Sequence, residues 1–331
     1  MKLAIIGAGV AGLSAAAQLK ETGHDVQLFD KGRGAGGRLS TRRAATPAGE
    51  LRFDHGAQFF TARDDGFRAL LGQLETSGHA AKWTPRRAEV SPGPDGWNTK
   101  ITQAEAGDVW YVGAPSMNSI VKGMAAGFDI SWGERAVEIE RRPDGSHVKF
   151  DKAGWQGPFD AVILAVPAEQ ASELLRDVSP ALASEADAAT TAPCWAVMLA
   201  FDEPLETGWD AAKISNAPLS WAACNSSKPG RDEGQTWVLH ASPDWSRENV
   251  DMDKDAVAAA LAGVFSEITG APPPVFSAAH RWLYAKTEQA ANTAFGWDAE
   301  QKIGVIGDWR IAPRVEAAWQ SGHALAAFLA D

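Results

Sequence analysis

The chain opens on an apolar run, Lys2-Leu-Ala-Ile-Ile6, that passes directly into Gly7-Ala-Gly9-Val-Ala-Gly12. This pattern predicts a buried strand over 2–6, a glycine turn, an alanine-rich helix over 13–20 and a second strand over 26–29, closed by Asp30. Farther along it predicts helices over 66–74, 115–126 and 168–175, and strands over 130–139 and 147–150 joined by a turn at Pro143-Asp-Gly145. Ala161-Val-Ile-Leu-Ala-Val166 is apolar throughout, as a parallel strand covered on both faces must be. Between 180 and 290 strands are expected over 195–201, 221–224 and 236–241, with a helix over 253–269. A last apolar strand over 303–307 and a helix over 315–329 repeat the character of the opening, so the chain is expected to visit one domain several times.

Strand, glycine turn, helix, strand and acid together make the dinucleotide-binding βαβ pattern. Gly7 permits the tight turn, Gly9 lets the backbone approach a pyrophosphate, and Gly12 lets helix and strand pack closely. The helix start offers free N–H groups and the positive end of a dipole to phosphates. Asp30 is placed to accept hydrogen bonds from ribose hydroxyls. The competing reading is a glycine-rich turn in an ordinary α/β protein.

Composition narrows the class. A chain of 331 residues, 45 % apolar and 22 % charged, suggests about two soluble globular domains. No apolar run approaches the roughly 20 residues of a membrane span. The opening glycines belong to a fold motif rather than a signal peptide, so a cytoplasmic protein without membrane association is expected. The net charge of −11 argues against a nucleic-acid partner. Cys194 and Cys224 suit a reducing compartment as buried thiols, with a bridge as the alternative, and no cluster has metal-ligand spacing.

Three further segments carry candidate chemistry. Gly36-Gly37-Arg38 closes the loop that directly follows Asp30; its glycines allow close backbone approach, and Arg38 could fork onto a pyrophosphate or a flavin edge. In Asp54-His-Gly-Ala-Gln-Phe-Phe60, Gly56 and Ala57 would admit a flat ring and Gln58 supplies both donor and acceptor. In Ile306-Gly-Asp-Trp309 with Val315-Glu316, a strand ends in a carboxylate before a helix. Asp308 could accept from a ribityl hydroxyl, and the helix start would stabilise negative charge on a reduced flavin. The bland alternatives are a solvated basic turn, a core strand with a satisfied amide, and a plain N-cap acid.

Asp30-Lys-Gly-Arg-Gly-Ala-Gly-Gly-Arg-Leu-Ser-Thr-Arg-Arg43, Asp54-His-Gly-Ala-Gln-Phe-Phe-Thr-Ala-Arg63, His280-Arg-Trp-Leu-Tyr-Ala285 and the Gly307-Asp-Trp…Val315-Glu…Ser-Gly322 ending resemble the bacterial renalase-like flavoproteins of the flavin amine oxidase superfamily. The resemblance spans nearly the whole chain. It implies non-covalent FAD and an oxidase that takes a hydride from 2- or 6-dihydro isomers of NAD(P)H and passes electrons to O2, giving NAD(P)+ and H2O2. Gly7, Gly9, Gly12, Asp30, Arg38, Ala57, Gln58, Asp308 and, through its backbone, Val137 would line the cofactor. Ala11, Lys31, Gly37, Val315 and Glu316 complete the expected set. Phe59 stands where the family often has tyrosine, and Ile311-Ala-Pro313 is less glycine-rich than the family's approach to the last helix.

The expected fold is α/β. A Rossmann-like FAD-binding domain would come from 1-61, 106-175 and 291-331, and a second, mixed-sheet α+β substrate domain from 62-105 and 176-290. A dihydropyridine needs position more than acid–base help, because its ring nitrogen already supplies electron push, so no catalytic base is required. Trp282 and Tyr284 alternate along a strand and would share a face that stacks on a nicotinamide or joins a core. His240 and Trp282 are the candidate catalytic residues. Phe60, Asn225, His240, Trp282 and Tyr284 are the candidate substrate contacts, and Ser226 and Lys228 are plausible partners of a diphosphate. Most of the 14 tryptophans must be packing residues. Rival readings are an oxidase of a small amine or polyamine, a flavin-binding protein without turnover, and a plain NAD dehydrogenase. The oligomeric state is left open.

Overall fold

The computed structural model describes residues 1–331 except Ala48, Ala104, Ala106 and Asp331. Its first layer is a six-stranded sheet in the order Gly296–Asp298, Ile303–Val305, Ala161–Leu164, Lys2–Ile6, Asp25–Asp30, Ile130–Trp132. All neighbours run parallel except the antiparallel edge pair Gly296–Asp298 and Ile303–Val305. The central strands are closed to solvent on both faces, which explains their unbroken apolar sequence. Each fully buried leucine or isoleucine there contributes ~1.5–3 kcal/mol of transfer free energy.

One face carries the helices Val10–Glu21 and Val315–Ala330. They touch backbone to backbone: a Cβ on Gly322 would lie 2.1 Å from the Ala11 carbonyl oxygen. The Ser14 hydroxyl donates to the Trp319 carbonyl at 2.9 Å, joining two residues 305 positions apart. The other face is covered by an antiparallel three-stranded sheet, Ala136–Arg142, Gly145–Phe150 and Gly154–Phe159, and by the helices Ala168–Leu175 and Pro180–Ala188.

The second layer is a seven-stranded sheet in the order Phe276–Gln289, Thr190–Phe201, Gln235–Ala241, Leu219–Cys224, Ala211–Ile214, Arg87–Gly93, Gly96–Thr102. The helix Lys254–Thr269, capped by Asp253, packs on it over a core that includes Trp195, Trp209, Trp237 and Phe265. These indoles are structural. The hairpin Arg42–Thr46 and Gly49–Phe53 sets Leu51 and Phe53 against Met198 and Val238, and so delivers Asp54 to this sheet.

Three elements differ from expectation. The strand expected over 130–139 is two strands in two sheets, split where Gly133 turns the chain with φ 77°. The helix expected over 115–126 forms only at Ser119–Met124, and Pro180–Ala188 is a helix the pattern did not reveal. Both cysteines are free thiols, and burial pushes Cys194 up to about 12. Among the described residues no helix is long and apolar enough to cross a membrane.

Candidate functional site

The strand Lys2–Ile6 lies between Asp25–Asp30 and Ala161–Leu164, so the order reverses beside Gly7. Ligands of open α/β sheets bind outside the carboxyl ends of the strands at such a point. Gly7 has φ 109°, and a Cβ there would meet the Ala165 carbonyl oxygen at 2.4 Å. A Cβ on Gly12 would meet the Gly7 carbonyl oxygen at 1.9 Å. These two glycines are fixed by packing. Gly9 is different: its φ of −84° suits any residue, and nothing lies within 4 Å of a Cβ built there. The helix behind it has no side-chain cap, so its first N–H groups stay available to an anion. Asp30 accepts from the Ala8 N–H at 2.8 Å and the Gly32 N–H at 2.7 Å, one per carboxylate oxygen. Each oxygen keeps a lone pair for a ribose hydroxyl.

Arg38 and Asp308 come together from 270 positions apart in a bidentate pair of 2.9 and 2.5 Å. Asp308 is buried, while the Arg38 side chain is 34 % exposed and so reaches the rim. Burial works against the guanidinium charge, but the Asp308 carboxylate outweighs it and holds the arginine above its ordinary value. Arg38, expected at a pyrophosphate or flavin edge, and Asp308, expected at a ribityl hydroxyl, are here each other's counter-ion. At Val137 the ladder shifts register between Ala136 and Glu138, leaving Val137 without a cross-strand partner. Its backbone is thereby free to meet an adenine edge.

The open flank at Gly9, the uncapped helix start, the spare lone pairs of Asp30 and the bulge at Val137 fit an extended dinucleotide such as FAD. Two surface cavities, of about 230 and 490 Å3, lie away from the glycine turn and from Asp30, Arg38 and Asp308.

Other expected cofactor residues make contacts within the protein. Ala11 is the surface on which Gly322 packs. Lys31 is exposed and donates to the Gln170 amide oxygen at 3.0 Å. The Glu316 carboxylate is buried and accepts from the Arg63 and Asp64 N–H groups at 2.5 and 2.7 Å. It therefore ties the segment after Phe60 to the closing helix, which Val315 begins. Gly56 does not make room for a ring, since a Cβ there would meet the Arg38 carbonyl oxygen at 2.1 Å. The Ala57 N–H donates to that same oxygen at 2.9 Å, so the Asp54–Phe60 segment is fastened to the Gly37-Arg38 loop.

Behind it lies a buried polar cluster. Asp54 is fully buried and accepts from Thr41 at 2.7 Å, the Met117 N–H at 3.0 Å, and Arg231 Nε and Nη2 at 3.0 and 2.6 Å. Lys228, equally buried, lies 3.4 Å from Asp54 and 3.2 Å from the Gln58 Oε1. Burial would raise the Asp54 carboxyl, but Lys228 and Arg231 hold it down at about 2. Gln58 donates to the Asp54 and Gly56 carbonyls, so both ends of its amide are engaged inside the protein. Asn225 is buried and bridges the Arg52 carbonyl and the Asp54 N–H; it and Lys228 belong to this cluster rather than to a surface that could meet a diphosphate.

Phe60 also departs from expectation. It is a core residue bridged to Tyr111 through the backbone. Trp282 donates its indole N–H to the His55 carbonyl at 2.9 Å. Its ring lies 5.1 Å from His55 and 4.6 Å from His280. Burial, reinforced by His280, lowers His55 to about 3; burial, then Lys228, lowers His240 to about 4. Burial lowers His280 as well. The result is an uncharged aromatic wall, with His240 Nε2 lying 3.5 Å from the Gln58 amide nitrogen. Tyr284 is half-buried beyond Trp282, where the ladder opposite Ala192–Cys194 is irregular. Thr41, His55, Arg231 and the linking role of Glu316 were not anticipated. Lys228 and Arg231 stand in a polar turn, Asn225-Ser-Ser-Lys-Pro-Gly-Arg-Asp-Glu233, which carries no local mark of a buried cation.

A family model described as NAD(P)-binding Rossmann-like domain matches residues 5–74, and one described as Flavin containing amine oxidoreductase matches residues 78–302. Over 40 residues the chain is 52 % identical to the 4,4'-diapophytoene desaturase (4,4'-diaponeurosporene-forming) of Staphylococcus aureus (strain Newman). That stretch is 12 % of this chain and 8 % of the desaturase, so the chain spans only a small part of the curated relative. Among solved structures, cyclohexylamine oxidase from Brevibacterium oxydans IH-35A superposes with a TM-score of 0.77 at 13 % identity over 99 % of this chain and 98 % of that one. Putrescine oxidase bound to putrescine gives 0.76 at 13 % identity with the same coverage. A provisionally named protoporphyrinogen oxidase from Exiguobacterium sp. 255-15 gives 0.78 at 12 % identity, again over 99 % and 98 % of the two chains. At such identities these likenesses establish the fold alone.

Proposed function

The chain belongs to the flavin containing amine oxidoreductase family and is an FAD-dependent oxidoreductase, and within that family we propose that it is a renalase-like oxidase of dihydronicotinamides. Its substrate would be a 2- or 6-dihydro isomer of NAD(P)H. With O2 and one proton the products are NAD(P)+ and H2O2.

The observation that carries this reading is the charge balance around the Asp54–Gln58 segment. Two buried cations, Lys228 and Arg231, face one carboxylate, Asp54, and the neighbouring imidazoles are neutral at pH 7. The surplus there is positive. Its field, acting from behind the segment rather than by contact, would disfavour an ammonium substrate and favour an anionic dinucleotide.

FAD, when bound, supplies the hydride acceptor and the route to O2. Gly9 and the following helix start would hold its pyrophosphate, Asp30 its ribose, the Val137 backbone its adenine, and Arg38 and Asp308 its middle. Trp282, braced by His55 and His280, would stack on the nicotinamide, and His240 would orient it from the sheet. None of these groups has to take a proton, because the dihydropyridine nitrogen drives hydride departure. The two large sheets support a FAD-binding domain of 1-61, 106-175 and 291-331 and a substrate domain of 62-105 and 176-290. Two free cysteines support a cytoplasmic setting.

Oxidation of an amine is the second reading, supported by the amine oxidases among the structural neighbours. Anaerobic mixing separates the two. Bleaching of the flavin by a dihydro-NAD(P) isomer but not by putrescine or cyclohexylamine is expected. Bleaching by an amine alone overturns the proposal, and reduction by neither class would mark a flavin-binding protein without turnover.

A further inference from the structure

A cavity of about 230 Å3 lies apart from the glycine turn, between the Arg42–Thr46/Gly49–Phe53 hairpin and the segment before the Ser119–Met124 helix. Its wall carries three cations, Arg43, Arg52 and Lys122, and is completed by His79 and the hydroxyls of Ser116 and Ser119. In a chain of net charge −11 such a grouping is conspicuous. Arg43 and Arg52 sit directly opposite one another across the hairpin. Like charges in that position destabilise a strand pair unless something negative lies between them. Among the described residues Arg43 and Lys122 have no ion-pair partner, and Arg52 has only Asp232 at 3.7 Å.

We propose that this cavity binds a phosphoryl dianion, clasped by Arg43, Arg52 and Lys122 and supported by the Ser119 hydroxyl, since Ser116 already donates to Asn118 Oδ1 at 2.7 Å. Guanidinium forks match phosphate oxygens in number and geometry, and the dianion turns the Arg43–Arg52 repulsion into attraction. The volume sets the size of the guest. It falls below the ~300–1,000 Å3 of pockets that enclose a drug-sized molecule, so the cavity holds a phosphoryl group rather than a whole nucleotide. The guest is either free phosphate or the phosphate end of a nucleotide whose remainder lies outside. The site does not depend on which substrate reduces the flavin.

The test is calorimetric titration of the FAD-loaded protein with inorganic phosphate and, separately, with AMP, at constant ionic strength. Saturable phosphate binding is expected, weakened about tenfold or more in Arg43→Gln and again in Lys122→Gln, as lost charge-assisted bonds require. AMP binding tighter than phosphate, with the same sensitivity to both variants, identifies a nucleotide as the source. Equal or weaker AMP binding identifies the free ion. No saturable binding of either probe, or binding indifferent to both variants while their melting temperatures match the parent's, overturns the proposal.

Discussion

Replacing Lys228 with methionine tests the buried cluster directly. The Lys228 side chain is wholly buried, and its acceptors on Gln58, Asp54 and Asn225 lie at 3.2, 3.4 and 3.4 Å, long for charged hydrogen bonds. Burial, with Arg231 adding to it, lowers its pKa from 10.5 to about 8 against the pull of Asp54. At 1.36 kcal/mol per unit, the folded protein disfavours the charged lysine by about 3 kcal/mol relative to the unfolded chain. The unfolded chain keeps this proton up to about pH 10.5, whereas the folded protein releases it above about 8. The parent therefore gains stability as pH rises between those values and carries the full penalty below them.

Methionine is of similar length and has no charge to desolvate. The variant loses the donor to Gln58 Oε1, a buried acceptor whose orphaning costs ~1–3 kcal/mol. Asp54 retains Arg231, Thr41 and the Met117 N–H. Lys228→Met should thus be as stable as the parent at pH 7, or more stable by up to ~2 kcal/mol. At pH 10 the parent should have regained ~2–3 kcal/mol relative to the variant. Urea unfolding of both proteins at saturating FAD, at pH 7 and pH 10, measures this difference. An identical stability gap at the two pH values, or a loss above ~3 kcal/mol in the variant at pH 7, refutes the reasoning.

Asp54→Asn leaves Lys228 and Arg231 without their carboxylate and should cost ~3–5 kcal/mol in urea unfolding at pH 7. Because Asp54 sits at about 2 rather than 3.8, its contribution is present above about pH 4 and fades toward pH 2, so the gap to the parent should narrow by ~2 kcal/mol on acidification. Gly9→Val places a side chain in open space on an ordinary backbone; far-UV circular dichroism and melting temperature of the FAD-free protein should match the parent's, while the purified protein lacks flavin absorbance. A yellow Gly9→Val protein contradicts the pyrophosphate assignment. Asp308→Ala removes both acceptors of Arg38 and should weaken FAD binding about tenfold or more in a fluorescence titration; equal affinity removes Asp308 from the cofactor site.

What could be read from the sequence follows from how local the cause is. The turn at Gly7, Gly9 and Gly12 is written in consecutive residues, as is the apolar run at 161–164, so both were visible. The helix Ala168–Leu175 was bounded by Pro167 and its own periodicity. The Asp54 cluster was not visible, because Lys228 and Arg231 reach it from 174 and 177 positions away and nothing local marks the meeting. Glu316 illustrates a different limit. An acid in the first turn of a helix looks the same whether it faces a ligand or, as here, the N–H groups of Arg63 and Asp64. Gly56 likewise signals a close neighbour without saying whether that neighbour is a cofactor or the Arg38 carbonyl.

The contact of Gly322 with the Ala11 backbone also has a bearing on synthesis. The strand Ile303–Val305 and the helix Val315–Ala330 complete a sheet and a helix pair begun by the first thirty residues. The nucleotide seat is therefore finished only once residues 303–330 have been made and have packed back on it. A chain cut before Ile303 lacks one strand of that sheet and the helix that packs on Ala11, and is expected to lose its flavin.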